Sequence, residues 1–92
     1  MNLPKISTYG EYDNDNYGAH CLKVSFDEFT LFYSYETIVA YSDRTDGLVV
    51  SKNCWQTTTG RHLNWIDPDK KVRLERDVFE SKLSEMLTRH VQ

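Results

Sequence analysis

The sequence predicts a single α+β domain, in which an antiparallel sheet of four or five strands is packed by one C-terminal helix. A chain of 92 residues is long enough for one sheet and one long helix around a single core. Alternating apolar and polar residues, the pattern of strands with one buried face, fill most of residues 20–51. From residue 77 onward, the apolar residues recur with the period of an amphipathic helix.

The composition favours a folded protein in a reducing compartment. Hydrophobic residues make up 39% of the chain and aromatic residues 13%, which is enough for a core. No stretch approaches the roughly 20 apolar residues of a membrane span, and the polar residues after residues 1–5 do not form a signal peptide. Cys21 and Cys54 lack the spacing of a disulfide framework. We therefore expect a cytoplasmic protein with two free thiols and no membrane contact.

The distribution of charge argues against a strongly electrostatic nucleic-acid binder. The net charge is −3, whereas such proteins are usually basic. Residues 1–47 hold three basic and eight acidic residues, and residues 48–92 hold eight basic and six acidic residues. The N-terminal half is therefore acidic and the C-terminal half mildly basic.

Residues 1–19 are predicted to form a loop rich in tyrosine and aspartate. Turn-forming Gly, Asp and Asn residues crowd residues 10–18, and Tyr12 and Tyr17 lie among them. Residues 13–18 resemble the start of a calcium-binding loop, but Tyr17 stands where an oxygen ligand is required. We therefore expect a surface loop without a metal ion.

Four strand-like runs are predicted to pair as an antiparallel meander. A turn at residues 27–28 joins the first two runs, although it lacks glycine. A bend or bulge is expected at residues 36–37, and Asp46 and Gly47 are the sharpest turn signal. The runs are residues 20–26, 29–35, 38–41 and 48–51.

The C-terminal helix, residues 77–91, is predicted to lie across one face of this sheet. Asp77 is the expected N-cap, and Glu80 would complete a capping box. Residues 71–75 alternate strictly and predict a short edge strand before the helix. The apolar stripe of the helix contains Phe79, Leu83, Met86, Leu87 and His90.

The segment at residues 53–67 has no clear period, yet it contains both tryptophans, three threonines, an arginine and a histidine. Thr58 or Thr59 is a candidate N-cap for a short helix through residues 61–65. The following Asp-Pro sequence would end that helix, with Leu63 and Ile66 facing the core.

Two interpretations of this segment stay open. In the first, the threonines cap the helix and the tryptophans close the end of the sheet. In the second, the segment is a binding surface, in which backbone N–H groups, threonine hydroxyls and Arg61 receive an anionic group. The candidate partner-binding residues are those of this segment together with two loop tyrosines: Tyr12, Tyr17, Trp55, Thr58, Thr59, Arg61, His62, Asn64 and Trp65.

Catalytic interpretations have weak support. Cys54 and His62 lie close enough in sequence to meet, but no third residue is predicted to orient the histidine. The three histidines and two cysteines show no metal-ligand spacing. We expect a protein that is not an enzyme and that has no catalytic residues, no metal and no cofactor.

Three segments of the chain carry a specific pattern. Residues 33–41 contain a Tyr-x-Thr-x-Val-Ala sequence, and residues 53–64 read Asn-x-Trp-x-x-Thr-Thr-Gly-Arg-His-Leu-Asn. Residues 16–20, Asn-Tyr-Gly-Ala-His, belong to the same pattern. It resembles a family of small uncharacterised proteins from bacteriophages and mobile elements. The resemblance covers residues 16–67 and implies an origin, and a tendency to bind host machinery such as immune systems, rather than an activity.

Two classes of function follow from these observations. The first is an interaction module that binds a host protein in the host cytosol and inhibits host defence machinery. The acidic N-terminal half and the abundant tyrosine favour it. The second is a single-stranded nucleic-acid-binding domain. Its base-stacking residues would be Trp55, Trp65 or Tyr33, and its phosphate contacts Arg61 and Lys52. The sequence predicts no oligomeric state for either class.

Overall fold

The structure is a computed structural model that describes residues 3–9, 21–53 and 57–90. In it, five antiparallel strands form one sheet, in which the strands are neighbours in the order of the sequence. At residues 57, 58, 60 and 61 the description covers the backbone. The strands are β1 (Lys5–Thr8), β2 (Cys21–Ser25), β3 (Phe29–Ser34), β4 (Thr37–Asp43) and β5 (Gly47–Val50). Two α-helices follow the sheet, α1 (Thr57–Ile66) and α2 (Arg76–His90). The predicted α+β class and the antiparallel meander are therefore confirmed.

Short turns connect strands β2 to β5 where the sequence predicted breaks. At the β2–β3 turn, the Phe26 N–H donates to the Phe29 carbonyl oxygen at 2.9 Å, so a two-residue Asp-Glu loop suffices without glycine. The β4–β5 turn ends at Gly47, whose φ is +70°. That value lies in the left-handed region, which glycine adopts without steric cost.

The first strand corrects the sequence analysis, which assigned residues 1–19 to a loop. Lys5–Thr8 instead pair with β2, with Ile6 opposite Val24. All residues of β1 are exposed, so backbone hydrogen bonds rather than burial hold this strand in place. A four-residue strand with a single apolar residue gives no detectable hydrophobic period. Tyr12, Tyr17 and the calcium-like run lie outside the described residues.

A β-bulge lies in β4, two residues beyond the bend predicted at residues 36–37. Ser34 pairs with Thr37, so the two residues between them form the β3–β4 turn. The pairing then shifts between Phe32 and Tyr33, which leaves Val39 as the extra residue. Because of this shift, Val39 and Ala40 both pack into the same core cluster on the α1 side of the sheet.

Helices cover both faces of the sheet. The predicted C-terminal helix, α2, packs Phe79 and Met86 on the face that carries Leu31 and Tyr41. On the opposite face, Leu63 of α1 packs against a cluster formed by Val39, Ala40 and Val50. The sequence analysis placed only α2 on the sheet, and α1 provides the second layer of cover. The side chain of Cys21 is buried, and Cys54 lies outside the described residues, so the two free thiols stay a prediction.

The prediction of a strand at residues 71–75 is wrong. Lys70–Val72 form a 3₁₀ helix, and the Asp69 side chain caps it by accepting a hydrogen bond from the Lys71 N–H at 2.9 Å. Within the described residues, the pairing of this segment with the sheet is a single parallel bridge between Ser51 and Leu74. The aspartate cap turns the chain before its alternating residues form a ladder.

Helix α2 begins at Arg76, one residue before the predicted N-cap. Asp77 therefore lies in the first turn, where its Oδ1 accepts a hydrogen bond from the Val78 N–H at 2.9 Å. Glu80 accepts a hydrogen bond from Arg76 Nε at 2.9 Å and does not complete a capping box with Asp77. The predicted apolar stripe is confirmed, since Phe79 and Met86 are fully buried and its leucines pack partly buried beside them.

Replacing Gly47 by alanine is expected to lower the free energy of unfolding by about 1 kcal/mol. A Cβ atom at this position would contact no heavy atom within 4 Å, so the cost comes from the positive φ alone. Urea denaturation of the variant measures it. Thr45→Ala is the control, because Thr45 lies in the same turn with a negative φ. A Gly47→Ala protein as stable as the parent would contradict the turn conformation.

Candidate functional site

Helix α1 carries the segment that the sequence singled out. The predicted short helix is confirmed and is longer than expected, since it begins at Thr57. Its last turn ends before Pro68, and the Asp67 N–H still donates to the Leu63 carbonyl oxygen at 2.9 Å. As predicted, Leu63 and Ile66 face the core, Leu63 with no exposed surface.

Thr59 lies inside the first turn of α1 and is not an N-cap. Its side chain is 6% exposed. The Ser34 hydroxyl at the end of β3 donates a hydrogen bond to Thr59 Oγ1 at 3.0 Å. Thr59 therefore ties the helix to the sheet. The side chain of Thr58, the alternative cap, is not among the described ones.

His62 is fully buried, whereas the sequence analysis included it among the side chains available to a partner. Its Nδ1 lies 2.7 Å from Ser34 Oγ. The same Ser34 oxygen lies 3.0 Å from Thr59 Oγ1, so His62, Ser34 and Thr59 form a chain of hydrogen bonds. This chain of hydrogen bonds fixes the orientation of the imidazole between α1 and β3.

The Ser34–His62 pair is buried between α1 and β3. Ser34 is only 2% exposed, and His62 has no exposed surface. The pair thus serves the packing of α1 on the sheet.

Three aromatic rings surround the imidazole of His62. The ring centroids of Tyr35 and Trp65 lie 5.8 Å from it, and the Tyr9 ring meets it edge-on at 6.2 Å. The Tyr9 hydroxyl also donates to the Tyr33 carbonyl oxygen at 2.8 Å, which holds the end of β1 near β3. The buried histidine is therefore the centre of an aromatic cluster at this end of the sheet.

The accessible part of this cluster is formed by Tyr35 and Trp65, and together with Asn64, the neighbour of Trp65 in α1, we call it the aromatic surface. Tyr35 is 44% exposed, Asn64 is exposed and Trp65 is half-buried. Asn64 Oδ1 accepts a hydrogen bond from Arg73 Nη2 at 2.9 Å, which fixes the amide. Both Asn64 and Trp65 are among the partner-binding residues predicted from the sequence.

Tyr35 is a member of the aromatic surface that the sequence analysis did not select. It occupies the β3–β4 turn with φ +56° and is the only non-glycine residue with a positive φ in the described part of the chain. A turn of two residues between two β-forming runs was the available signal, but neither Tyr nor Glu is typical of such turns.

The structure brings Thr59, His62 and Trp65 together, with Asn64 beside them. The remaining candidates are not placed. Trp55, Tyr12 and Tyr17 lie outside the described residues, as does the side chain of Arg61.

Two of the residues proposed for base stacking, Tyr33 and Trp65, lie on opposite faces of the sheet, and the third, Trp55, lies outside the described residues. Tyr33 packs against the core cluster under α2, whereas Trp65 lies with His62 on the α1 side of the sheet. Lys52 Nζ forms an ion pair with the Glu75 carboxylate. A single strand of bases therefore does not contact Tyr33 and Trp65 along one face.

A second polar cluster lies at the end of α2, beside the β4–β5 turn. Asp43 has a fully buried side chain, and its Oδ2 accepts hydrogen bonds from Arg89 Nη2 at 2.8 Å and from His90 Nε2 at 3.0 Å. Its Oδ1 accepts from the Asp46 N–H at 2.6 Å. The other ring nitrogen of His90 lies 3.1 Å from Glu28 Oε2. Both ring nitrogens thus lie within hydrogen-bond distance of a carboxylate.

The electrostatics of this cluster follow from those contacts. Burial disfavours the charged form of Asp43, but the hydrogen bonds from Asp46, Arg89 and His90 outweigh it and hold the pKa of Asp43 well below its usual range. The hydrogen bond from the Tyr41 hydroxyl, followed by the one from Arg89, lowers the pKa of Asp46. Burial and the carboxylate of Asp46 raise the pKa of Tyr41. The cluster thus keeps two carboxylates ionised.

An open cavity of about 730 Å³ lies next to this cluster. Its lining is mostly polar and includes residues of both turns at that end of the sheet, among them Glu28, Arg44 and Thr45. No group of three His, Cys, Asp or Glu residues suited to hold a metal ion occurs in the described ranges. None of the described helices is long and apolar enough to cross a membrane.

Comparison with known proteins gives one match. The model of a protein family described as a family of unknown function (DUF8033) matches residues 1–81. No curated protein and no solved structure matches the chain.

Proposed function

We propose that this chain, which belongs to that family of unknown function, is a small non-enzymatic interaction module that binds a host protein through the aromatic surface. The finer parts of the proposal are that the protein is encoded by a bacteriophage or mobile element, acts in the host cytosol and inhibits host defence machinery. These parts rest on the resemblance of residues 16–67 to phage and mobile-element proteins.

The observation that carries the proposal is the conformation of Tyr35. A positive φ costs a non-glycine residue roughly 1–2 kcal/mol, and a glycine at this turn would avoid that cost. The chain instead holds a large ring there, 44% exposed and in contact with the buried His62. A retained strain at an exposed aromatic residue favours a role in binding over a role in folding.

The surroundings of Tyr35 suit a protein partner. Tyr and Trp rings bury a large area at a low cost in side-chain entropy and are enriched at the centres of protein interfaces. Here, Trp65 and Tyr35 are held by the same imidazole, so their positions are fixed before a partner arrives. Such preorganisation lowers the entropic cost of association.

Tyr35→Gly tests the proposal, because the substitution removes the ring and relieves the strain at once. The bait is the whole chain, immobilised in a host-cell lysate, and the captured partner is then titrated against each variant. We expect Tyr35→Gly to weaken binding at least tenfold while its thermal unfolding midpoint stays unchanged or rises.

Leu48→Ala is the matched control, since Leu48 is also 44% exposed but lies in β5, away from the aromatic cluster. It should leave binding unchanged. Arg61→Ala is a second test, which addresses helix α1. We expect weaker binding, because the hydrogen-bond donors of the arginine are lost, and no change in the unfolding midpoint. A Tyr35→Gly protein that binds its partner as tightly as the parent would remove the aromatic surface from the proposal.

The alternative function, binding of single-stranded nucleic acid, is distinguished by an oligonucleotide titration at two salt concentrations. Phosphate contacts release counterions, so the affinity would fall steeply as salt increases. We expect no binding of this kind. A salt-dependent affinity that is lost in Trp65→Ala would favour the nucleic-acid function instead.

A further inference from the structure

The outer edge of β1 presents backbone groups to solvent. The Tyr9 N–H donates to the Cys21 carbonyl oxygen at 3.1 Å, which shows that Tyr9 directs its backbone groups toward β2. In an antiparallel strand this direction alternates, so Ser7 also faces β2, whereas Ile6 and Thr8 face away from it. β1 is the terminal strand of the sheet, and no described residue pairs with this outer side.

The side chains near this edge are segregated by face. On the α2 side of the sheet, Ile6 pairs with Val24, and Ile6 remains 68% exposed. Lys5 and Lys23 lie on the α1 side of the sheet. Lys23 pairs with Ser7, and Lys5 precedes Ser7 by two residues in the same strand, so their side chains share one face. A strand added to this edge would therefore meet Ile6 on one face and Lys5 on the other, with Lys23 one strand further in on the same face as Lys5.

The two lysines have no ion-pair partner among the described residues. Neither ammonium group has a carboxylate of that part of the chain within 4.0 Å, whereas Lys52 has one and Arg89 has two. Lys5 is exposed and Lys23 is half-buried. Acidic side chains next to them would gain favourable electrostatic interactions that the described residues do not supply.

We infer that β1 receives an extended segment of a partner protein as a sixth strand, antiparallel to β1, in which apolar residues alternate with Asp or Glu. The apolar residues would lie beside Ile6, and the acidic residues beside Lys5 and Lys23. Backbone hydrogen bonds to Ile6 and Thr8 provide affinity, and the alternating side chains provide specificity. This surface goes beyond the aromatic surface of the proposed function and uses different residues.

The first experiment is a fluorescence anisotropy titration of the whole chain with labelled peptides of about eight residues. One peptide alternates valine and glutamate, a second alternates valine and lysine, and a third has the composition of the first in two blocks. We expect binding of the alternating acidic peptide, at least tenfold tighter than that of the other two. Equal affinity for the three peptides, or no binding of the acidic one, would overturn the inference.

Two variants then test the edge itself. Thr8→Pro removes an N–H group that points away from β2, so the β1–β2 ladder stays intact while the donor for the added strand is lost. We expect the affinity to fall at least tenfold, whereas the control Thr8→Val retains the N–H group and should bind like the parent. Lys5→Glu should reverse the preference, so that the valine–lysine peptide binds more tightly than the valine–glutamate peptide.

Separate outcomes identify other occupants of this edge. If Thr8→Pro binds the peptide like the parent, the peptide lies elsewhere and the inference is wrong. Sedimentation that shows a dimer of the parent and a monomer of Thr8→Pro would assign the edge to a second copy of the chain instead. Tyr35→Gly should keep full affinity for the acidic peptide, so failure at this edge and failure of the aromatic surface are distinguishable.

Discussion

Replacing Phe79 by alanine is expected to lower the free energy of unfolding by roughly 3–5 kcal/mol, the largest effect of any substitution considered. Phe79 has no exposed surface and lies between α2 and the sheet. Its ring centroid is 5.9 Å from that of Tyr41, and the Arg76 guanidinium carbon lies 5.1 Å above the ring. Removing the ring leaves a cavity that neither of these neighbours can fill.

Urea denaturation of Phe79→Ala measures this loss. Val78→Ala is the matched control, because Val78 is adjacent in the same helix but 45% exposed, and its variant should stay within about 0.5 kcal/mol of the parent. Leu83→Ala should fall between the two, since Leu83 is only partly buried. A Phe79→Ala protein with the stability of the control would show that α2 does not anchor the core.

Replacing Asp43 by asparagine is expected to destabilise the protein by roughly 2–4 kcal/mol at neutral pH. The buried carboxylate accepts hydrogen bonds from Asp46, Arg89 and His90. An asparagine has one acceptor oxygen for these donors, and its amide group would face Arg89 or His90 as a further donor. The link between the end of α2 and the β4–β5 turn is thereby lost.

The pH dependence of stability gives an independent signature of the same carboxylate. The pKa of Asp43 is lower in the folded protein than its ordinary value of 3.8, so the unfolded chain binds its proton more readily. The stabilisation by the Asp43 carboxylate is therefore fully present above a pH of about 4, and it is lost as the pH falls toward the pKa of Asp43 in the folded protein. Asp46, whose pKa is also lowered, contributes in the same direction.

Unfolding free energies measured from about pH 6 to about pH 2 test this dependence. The parent should lose stability steadily on acidification, and Asp43→Asn should show a shallower loss. Glu85→Gln, an exposed change of the same charge in α2, should follow the parent curve. Parallel curves for the parent and Asp43→Asn would mean that the neighbours of Asp43 do not lower its pKa in the folded state.

The parts of the fold that were predictable from the sequence are those with a local signal. Strands β2 to β5 show alternation, Gly47 marks a turn, and Phe79 and Met86 recur at helical spacing. β1 was missed because its position depends on the ladder with β2 rather than on a pattern of its own. The strand predicted at residues 71–75 failed because the Asp69 cap outweighed five alternating residues.

The candidate site was predictable only in part. The unusual composition of residues 53–67 drew attention to the helix that carries His62, Asn64 and Trp65. The burial of His62 depends on Ser34, which lies 28 positions away in sequence. Likewise, Tyr35 joins the site through a ring contact between the β3–β4 turn and α1. Such contacts are set by tertiary packing and leave no periodic signal in a single sequence.

The position of both helices after the sheet has a consequence for synthesis of the chain. All five strands precede α1 and α2 in sequence, so a ribosome releases the complete sheet before the cover for either face exists. One face of the sheet is covered only after Leu63 of α1 is synthesised, and the face with Tyr41 only after Phe79 and Met86 of α2. During those seconds the nascent chain presents two uncovered apolar surfaces, which are the natural binding targets of chaperones.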